Sequence, residues 1–183
     1  MTRASERLRR NCGRVRSNED GSATIEFVFM VPLLFTIFFM AIEAGVLQLR
    51  QIMLERALDI TIRDLRVGAM GDSPAFADVR DAVCDNAFLI PDCHANFSLE
   101  LTPVDLRNWT APDFSMACVD RETEITPVNL FTQGGSVQPT LVRACLIVDL
   151  IFPTSRMGLQ LATDPQGGFE LFATSFYINE PEV

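Results

Sequence analysis

Residues 21–49 read GSATIEFVFMVPLLFTIFFMAIEAGVLQL, a short polar start followed by one long apolar run. The 23 residues from Phe27 to Leu49 contain a single charged side chain, Glu43. A helix of this length measures ~34 Å, enough to cross the hydrocarbon core of a bilayer with some tilt. The stretch therefore predicts a transmembrane helix over residues 22–49, with Glu43 as a simple boundary residue near its outer end.

Charge is divided sharply between the two sides of this span. Residues 1–21 carry six arginines against three acidic residues, a net charge of +3, while the whole chain carries −9. Because basic flanks stay on the cytoplasmic side, residues 1–21 are predicted to be a cytoplasmic leader and the body to be periplasmic. The expected location is the inner membrane, with one span. The acidic body argues against nucleic acid as a partner.

The segment after the span continues as an amphipathic helix. Its apolar residues recur at steps of four, four and three, which places them on one stripe of a helix. They are Leu54, Leu58, Ile62 and Leu65. Gly68 and Gly71 are expected to end this extension, assigned to residues 50–71.

Residues 72–183 are predicted to form a small periplasmic α+β domain with a mostly antiparallel sheet. The strongest strand pattern is β-branched and lies between two prolines, at 141–152. The other expected elements are a helix at 75–89, strands at 97–101 and 169–178, two short strands at 116–119 and 128–131, and a helical turn at 154–161.

Four cysteines, an even number, lie in the exported part, where an oxidising compartment allows two disulfides. They are Cys84, Cys93, Cys118 and Cys145. Sequence order and short loop closure favour Cys84–Cys93 and Cys118–Cys145, although three connectivities are possible. A metal site is the alternative, but there is no C-x-x-C spacing and the single histidine, His94, supplies one imidazole. His94 is expected at the surface beside a bridge.

Nothing in the sequence indicates an enzyme or a cofactor site. There is no P-loop, dinucleotide-binding turn or H-E-x-x-H motif, and the lone histidine has no convincing partner. Asp120, Glu122 and Glu124 alternate near Arg121, but they lack the spacing and glycine of a calcium loop. A solvated acidic edge is the expected role for these three carboxylates.

The residues at the start of the span, 21–27, form a second informative motif, which we call the processing motif for the resemblance given below. A secretory signal peptide would have a shorter apolar stretch followed by an A-x-A-like site, which is missing here. An uncleaved signal anchor explains the span but not the combination of Gly21, Glu26 and Phe27. This combination resembles the type IV prepilin signal, in which glycine precedes the scissile bond and glutamate stands fifth after it. The resemblance implies cleavage between Gly21 and Ser22 by a prepilin peptidase.

Within that resemblance, Glu26 has a role in assembly. A carboxylate at the membrane edge is costly and demands a partner. Cleavage would free the α-amino group of Ser22, which Glu26 of a neighbouring subunit could pair with. The capping of the span by an interfacial polar Glu26 is the simpler alternative.

The chain as a whole resembles TadE/TadG-type pilus assembly proteins of the tight-adherence (Flp, type IVc) system, in their alphaproteobacterial branch. The segments that carry this resemblance are 20–28, 51–57, 59–65, 90–93, 118–121, 143–145 and 178–181. The resemblance implies a non-enzymatic pseudopilin whose partners are the prepilin peptidase, other pilins and membrane lipid. A signal-anchored periplasmic binding or sensor module is the alternative.

Overall fold

The computed structural model describes residues 20–71, 73–107, 116–122, 130–135, 137–161, 164 and 166–178. The chain has two compact units; the first ends at Ile42 and the second begins at Glu43. Helix α1 (Asp20–Arg66) contributes to both. The second unit also contains α2 (Phe76–Asn86), α3 (Cys93–Asn96), β1 (Phe97–Pro103), β2 (Pro139–Asp149), α4 (Arg156–Leu161) and β3 (Gly168–Ile178). This is the predicted α+β class with a long N-terminal helix. The predicted leader, apart from residues 20 and 21, lies outside the described residues.

In the first unit, α1 runs through Pro32 without ending. Proline has no backbone N–H, so one i→i−4 bond of the helix is missing there. The Thr36 hydroxyl donates a 2.7 Å hydrogen bond to the Pro32 carbonyl oxygen, one turn back. This is the i to i−4 bond that a threonine hydroxyl commonly makes within a helix, and it lies one turn after the missing one. The helix continues on both sides of Pro32.

The second unit is built on a three-stranded sheet of order β1-β2-β3, with both pairs antiparallel. Side chains of β2 alternate between the two faces. Val142, Ala144, Leu146 and Val148 lie on the inner face, in one buried cluster with the stripe of α1. All four predicted stripe residues, Leu54, Leu58, Ile62 and Leu65, are buried. The amphipathic extension was therefore predicted correctly, and the inner face of the sheet is its packing partner.

The outer face of the sheet carries two clusters of ion pairs, exposes Phe172 and Phe176 of β3, and is crossed by residues 116–122. Arg143 on β2 pairs with Glu100 on β1, with 2.8 Å between the guanidinium and each carboxylate oxygen. Arg121 donates to Asp149 at 2.7 Å and also pairs with the buried Asp164. Burial of the Arg121 guanidinium lowers its pKa, but hydrogen bonds and charge from the two aspartates outweigh this and raise it overall. These contacts fix the crossing segment to the sheet.

Two disulfides connect the elements of the second unit. Cys84 bonds to Cys93 and Cys118 to Cys145, with Cα–Cα distances of 5.6 and 5.5 Å. This is the pairing that short loop closure favoured. The sequence separations are 9 and 27 residues. In the chain-entropy model, loops of these lengths correspond to about 2–3 and about 3–4 kcal/mol of stabilisation respectively. The longer loop therefore gives the larger effect, and it holds the crossing segment against β2.

Several boundaries differ from the sequence prediction for identifiable reasons. Helix α2 stops at Asn86 rather than 89 because Ala87 leaves the helical conformation, with φ −88° and ψ 73°. The first predicted short strand, 116–119, is irregular, and the Ala117 carbonyl bond from Ser98 and the Cys118–Cys145 disulfide stand in place of a strand ladder. Of the second, 128–131, only the last two residues are described, and Phe131 forms an isolated parallel bridge with Leu101.

The end of α1 is also shorter than predicted. The helix ends at Arg66, five residues before the expected boundary at 71. A turn follows in which Gly68 and Gly71 have φ of +71° and +86°. Glycine adopts these left-handed angles without the steric cost of a Cβ. The two glycines therefore end the helix as expected, but they do so from the turn that follows it.

Candidate assembly site

The processing motif lies at the start of α1. Gly21 and Ser22 are in its first turn, and Glu26 and Phe27 follow in the next. The side chains of Glu26 and Phe27 are exposed. The first turn of a helix has N–H groups with no partner in the helix, so it is the turn that opens most easily. The Gly21–Ser22 bond therefore lies in the first turn of α1.

Helical spacing brings the two chemical parts of the motif onto one side of α1. Ser22 and Glu26 are four residues apart, which places them on the same face.

The first unit exposes apolar side chains around its whole circumference. Phe27, Phe29, Leu33, Leu34, Ile37 and Phe38 are all at least half exposed. A helix that is apolar on every side needs an apolar environment, since water would solvate none of its faces well. Within the described residues, α1 is the one helix long and apolar enough to cross a membrane. Its exposed apolar surface is consistent with a lipid environment.

Glu43, the first residue of the second unit, has a different environment from the one predicted. Its side chain is 1% exposed, and its two carboxylate oxygens accept the backbone N–H groups of Ile151 and Phe152 at 3.0 and 2.7 Å. A buried carboxylate is stable only with such partners. The expectation of a simple boundary residue was wrong. Glu43 joins α1 to the chain that leaves β2.

This bond also explains where β2 ends. The sequence predicted a strand to residue 152, but β2 ends at Asp149. The amides of Ile151 and Phe152 donate to Glu43, so they are not available to a strand ladder. Two further side chains of α1 reinforce the junction: Arg50 donates to the Asp149 carbonyl oxygen and Gln51 to that of Phe172. We call these contacts, with Glu43 at their centre, the helix–sheet junction.

A pattern in the sequence could have identified Glu43 as a buried residue. It lies four residues before Leu47, and Leu47 lies seven before Leu54, so Glu43 continues the buried stripe towards the N-terminus. An acid on the buried stripe of an amphipathic helix requires hydrogen-bond donors from its packing partner. The amphipathic extension thus begins within the apolar run and not after it. What remained hidden was the identity of the donors, which lie more than 100 residues away.

Metal ligation has no support in the part of the chain that the structure describes. There, no group of three His, Cys, Asp or Glu side chains is arranged to hold a metal ion. His94 is exposed beside the Cys84–Cys93 bridge, as predicted, and its Nδ1 lies 3.2 Å from Asp81. The pKa of Asp81 is lowered, first by a hydrogen bond from Arg80 and further by His94. Asp120 and Glu122 are exposed, consistent with an acidic edge, whereas Glu124 lies outside the described residues.

In the described residues, the fold and the motif together define a class: a protein whose N-terminal helix is able to cross a membrane and carries a disulfide-bonded α+β unit. Residues 21–63 match the family model described as TadE-like protein. This segment is TadE-like, as the resemblance predicted, and it includes Gly21, Ser22, Glu26, Phe27 and Glu43. The match ends before α1 does, so the sheet and both disulfides lie beyond it. No curated protein and no solved structure matches the chain.

Proposed function

We propose that this chain is a minor, pseudopilin-like component needed to assemble tight-adherence (Flp, type IVc) pili. The observation that carries the proposal is the extent of the TadE-like match, which begins at Gly21 and includes the whole processing motif. The membrane-capable helix that follows supports the same role. The resemblance of segments beyond residue 63, such as 90–93 and 118–121, supports an assignment to the alphaproteobacterial branch of these proteins, which is part of the proposal.

The proposed mechanism is structural and involves no catalysis. A prepilin peptidase cuts between Gly21 and Ser22 on the cytoplasmic face, which removes the basic leader. The new amine and Glu26 then allow α1 to pack against the helices of pilins and of other assembly proteins. In this apolar setting an ion pair between subunits contributes to both affinity and register. The chain would stay in the inner membrane with residues 43–183 in the periplasm, or enter the pilus with them outermost.

The helix–sheet junction would transmit force from α1 to the sheet of the second unit. Glu43 fastens the first residue of the second unit to the end of β2. A force applied along α1 during subunit extraction or packing would therefore reach the sheet through short, charge-assisted hydrogen bonds. We propose that this bond keeps the exterior unit folded while the helix is moved within the membrane.

Deleting the gene in the bacterium that encodes it tests the proposed function. We expect surface pili to be lost and to return when the wild-type gene is supplied in trans, because assembly would lack a required component. Electron microscopy of pili on single cells is the measurement, with the amount of the major pilin in whole cells as the control. Normal pilus numbers in the deletion strain would contradict the proposal and favour a signal-anchored binding or sensor module.

A further inference from the structure

The loop closed by the Cys84–Cys93 disulfide presents two large apolar side chains to its surroundings. Phe88 and Leu89 are 71% and 65% exposed. Their neighbours on either side, Ala87 and Ile90, are buried. The loop is therefore anchored at its base and apolar at its outermost residues. We call Phe88 and Leu89 the apolar tip.

The backbone of this loop is held in an unfavourable conformation. Leu89 and Asp92 have φ of +68° and +52°, in the left-handed region. Leucine rarely adopts it, because its Cβ then approaches the backbone. The disulfide and the buried neighbours hold the loop in place despite this strain. Strain of this kind persists where the surrounding structure enforces it, and it is concentrated at sites of binding.

The apolar tip lies at the same end of the second unit as Glu43. Cys93, which closes the loop, is four residues before Phe97, the first residue of β1. Phe97 pairs with Leu146, close to the end of β2. The chain leaving β2 is bound to Glu43 and exposes Ile151, which is 45% exposed. Three exposed apolar side chains, Phe88, Leu89 and Ile151, therefore share the end at which the chain enters this unit.

We propose that this end of the unit binds the interfacial region of a lipid bilayer, with Phe88, Leu89 and Ile151 inserted between headgroups. The inference rests on the proposed membrane span, because Glu43 directly follows the apolar run that ends at Ile42. A bilayer surface is then within reach of this end of the unit by chain connection alone. Peripheral segments bind a membrane by inserting exposed apolar side chains into its interfacial region.

The charges beside the tip indicate which kind of lipid surface it fits. Asp85 and Asp92 flank the loop and are exposed. Their carboxylates would be repelled by anionic headgroups. Binding therefore depends on burial of the apolar side chains and not on attraction between charges. We expect it to be strongest on a zwitterionic surface and to persist at high salt.

Quenching by brominated lipid tests this inference with the full chain in nanodiscs of phosphatidylcholine. In a Trp109→Phe background, the Phe88→Trp variant reports on the tip. The matched control is Leu106→Trp, because Leu106 is 66% exposed and follows the opposite end of β1. Bromines placed along the acyl chains should quench the Phe88→Trp fluorescence at least about threefold more than that of the control, since interfacial side chains reach the boundary of the acyl region. Ile151→Trp should behave like Phe88→Trp.

Other results of the quenching experiment would overturn the inference, and they separate it from the proposed membrane span. Equal, weak quenching of all three variants in chains that have incorporated into nanodiscs would overturn the inference and leave the proposed function untouched. A concentration-dependent blue shift of Phe88→Trp without quenching would overturn it in favour of contact between two copies. Failure of the chain to co-elute with nanodiscs would contradict both the inference and the membrane span. Intact mass under non-reducing conditions verifies the Cys84–Cys93 bridge in each variant.

Discussion

Replacing Glu43 with alanine is expected to destabilise the second unit by about 3 kcal/mol, because the N–H groups of Ile151 and Phe152 lose a charged acceptor within a largely buried site. Glu43→Gln should lose less, since its amide oxygen can still accept from one of the two groups. Urea unfolding of the full chain in detergent, followed by pulse proteolysis, measures the change. The midpoint should fall while the slope with urea stays the same.

Glu26→Ala provides the matched control for that experiment. Both substitutions remove one carboxylate from α1, but Glu26 is exposed in the first unit and makes none of the junction contacts. Its unfolding midpoint should therefore match that of the wild type. A Glu43→Ala midpoint equal to the Glu26→Ala midpoint would mean that the junction does not stabilise the unit. The stability argument for Glu43 would then fail, whatever the role of the protein in pili.

The same Glu26→Ala variant is expected to lose pili. If the ion pair between subunits contributes about 2–3 kcal/mol within the membrane, its loss lowers the association constant of each added subunit roughly 30–150-fold. Insertion should be unaffected, because alanine makes the span more apolar. Pilus counts by electron microscopy, with membrane fractionation of the variant, measure both effects. Glu26→Gln separates charge from hydrogen bonding, since it keeps an acceptor oxygen but cannot form an ion pair.

Two other outcomes for Glu26→Ala would assign this residue a different role. Normal piliation in a strain whose Glu26→Ala protein reaches the membrane in wild-type amounts would contradict the proposed assembly contact. Glu26 would then be an interfacial polar residue that caps the span. A variant that is not processed but still inserts would instead assign Glu26 to peptidase recognition.

The parts of the fold that were predicted correctly are those with a periodic pattern of apolar residues. The stripe from Leu54 to Leu65 and the β-branched strand between two prolines can each be recognised from a short stretch of sequence. Both are present in the structure. The cysteine pairing followed from loop length because the partners are close in sequence. In these cases the information needed lies within a few dozen residues.

The features that the sequence did not predict depend on contacts between distant residues. The role of Glu43 requires donors from beyond β2, and the end of β2 depends in turn on Glu43. The irregular course of residues 116–122 follows from Arg121 pairing with Asp149 and Asp164, which no local pattern indicates. The exposed apolar tip follows from a left-handed leucine, a conformation that leucine's own preferences oppose.

The processing motif was predicted from residue identities, and the structure adds its position on the first two turns of α1. Its chemistry depends on a cleavage that changes the chain covalently. The most direct test is therefore the intact mass and N-terminal sequence of the protein extracted from membranes, with and without the prepilin peptidase. The account predicts a chain that begins at Ser22 only when the peptidase is present. A chain that begins near Met1 in both strains would contradict it.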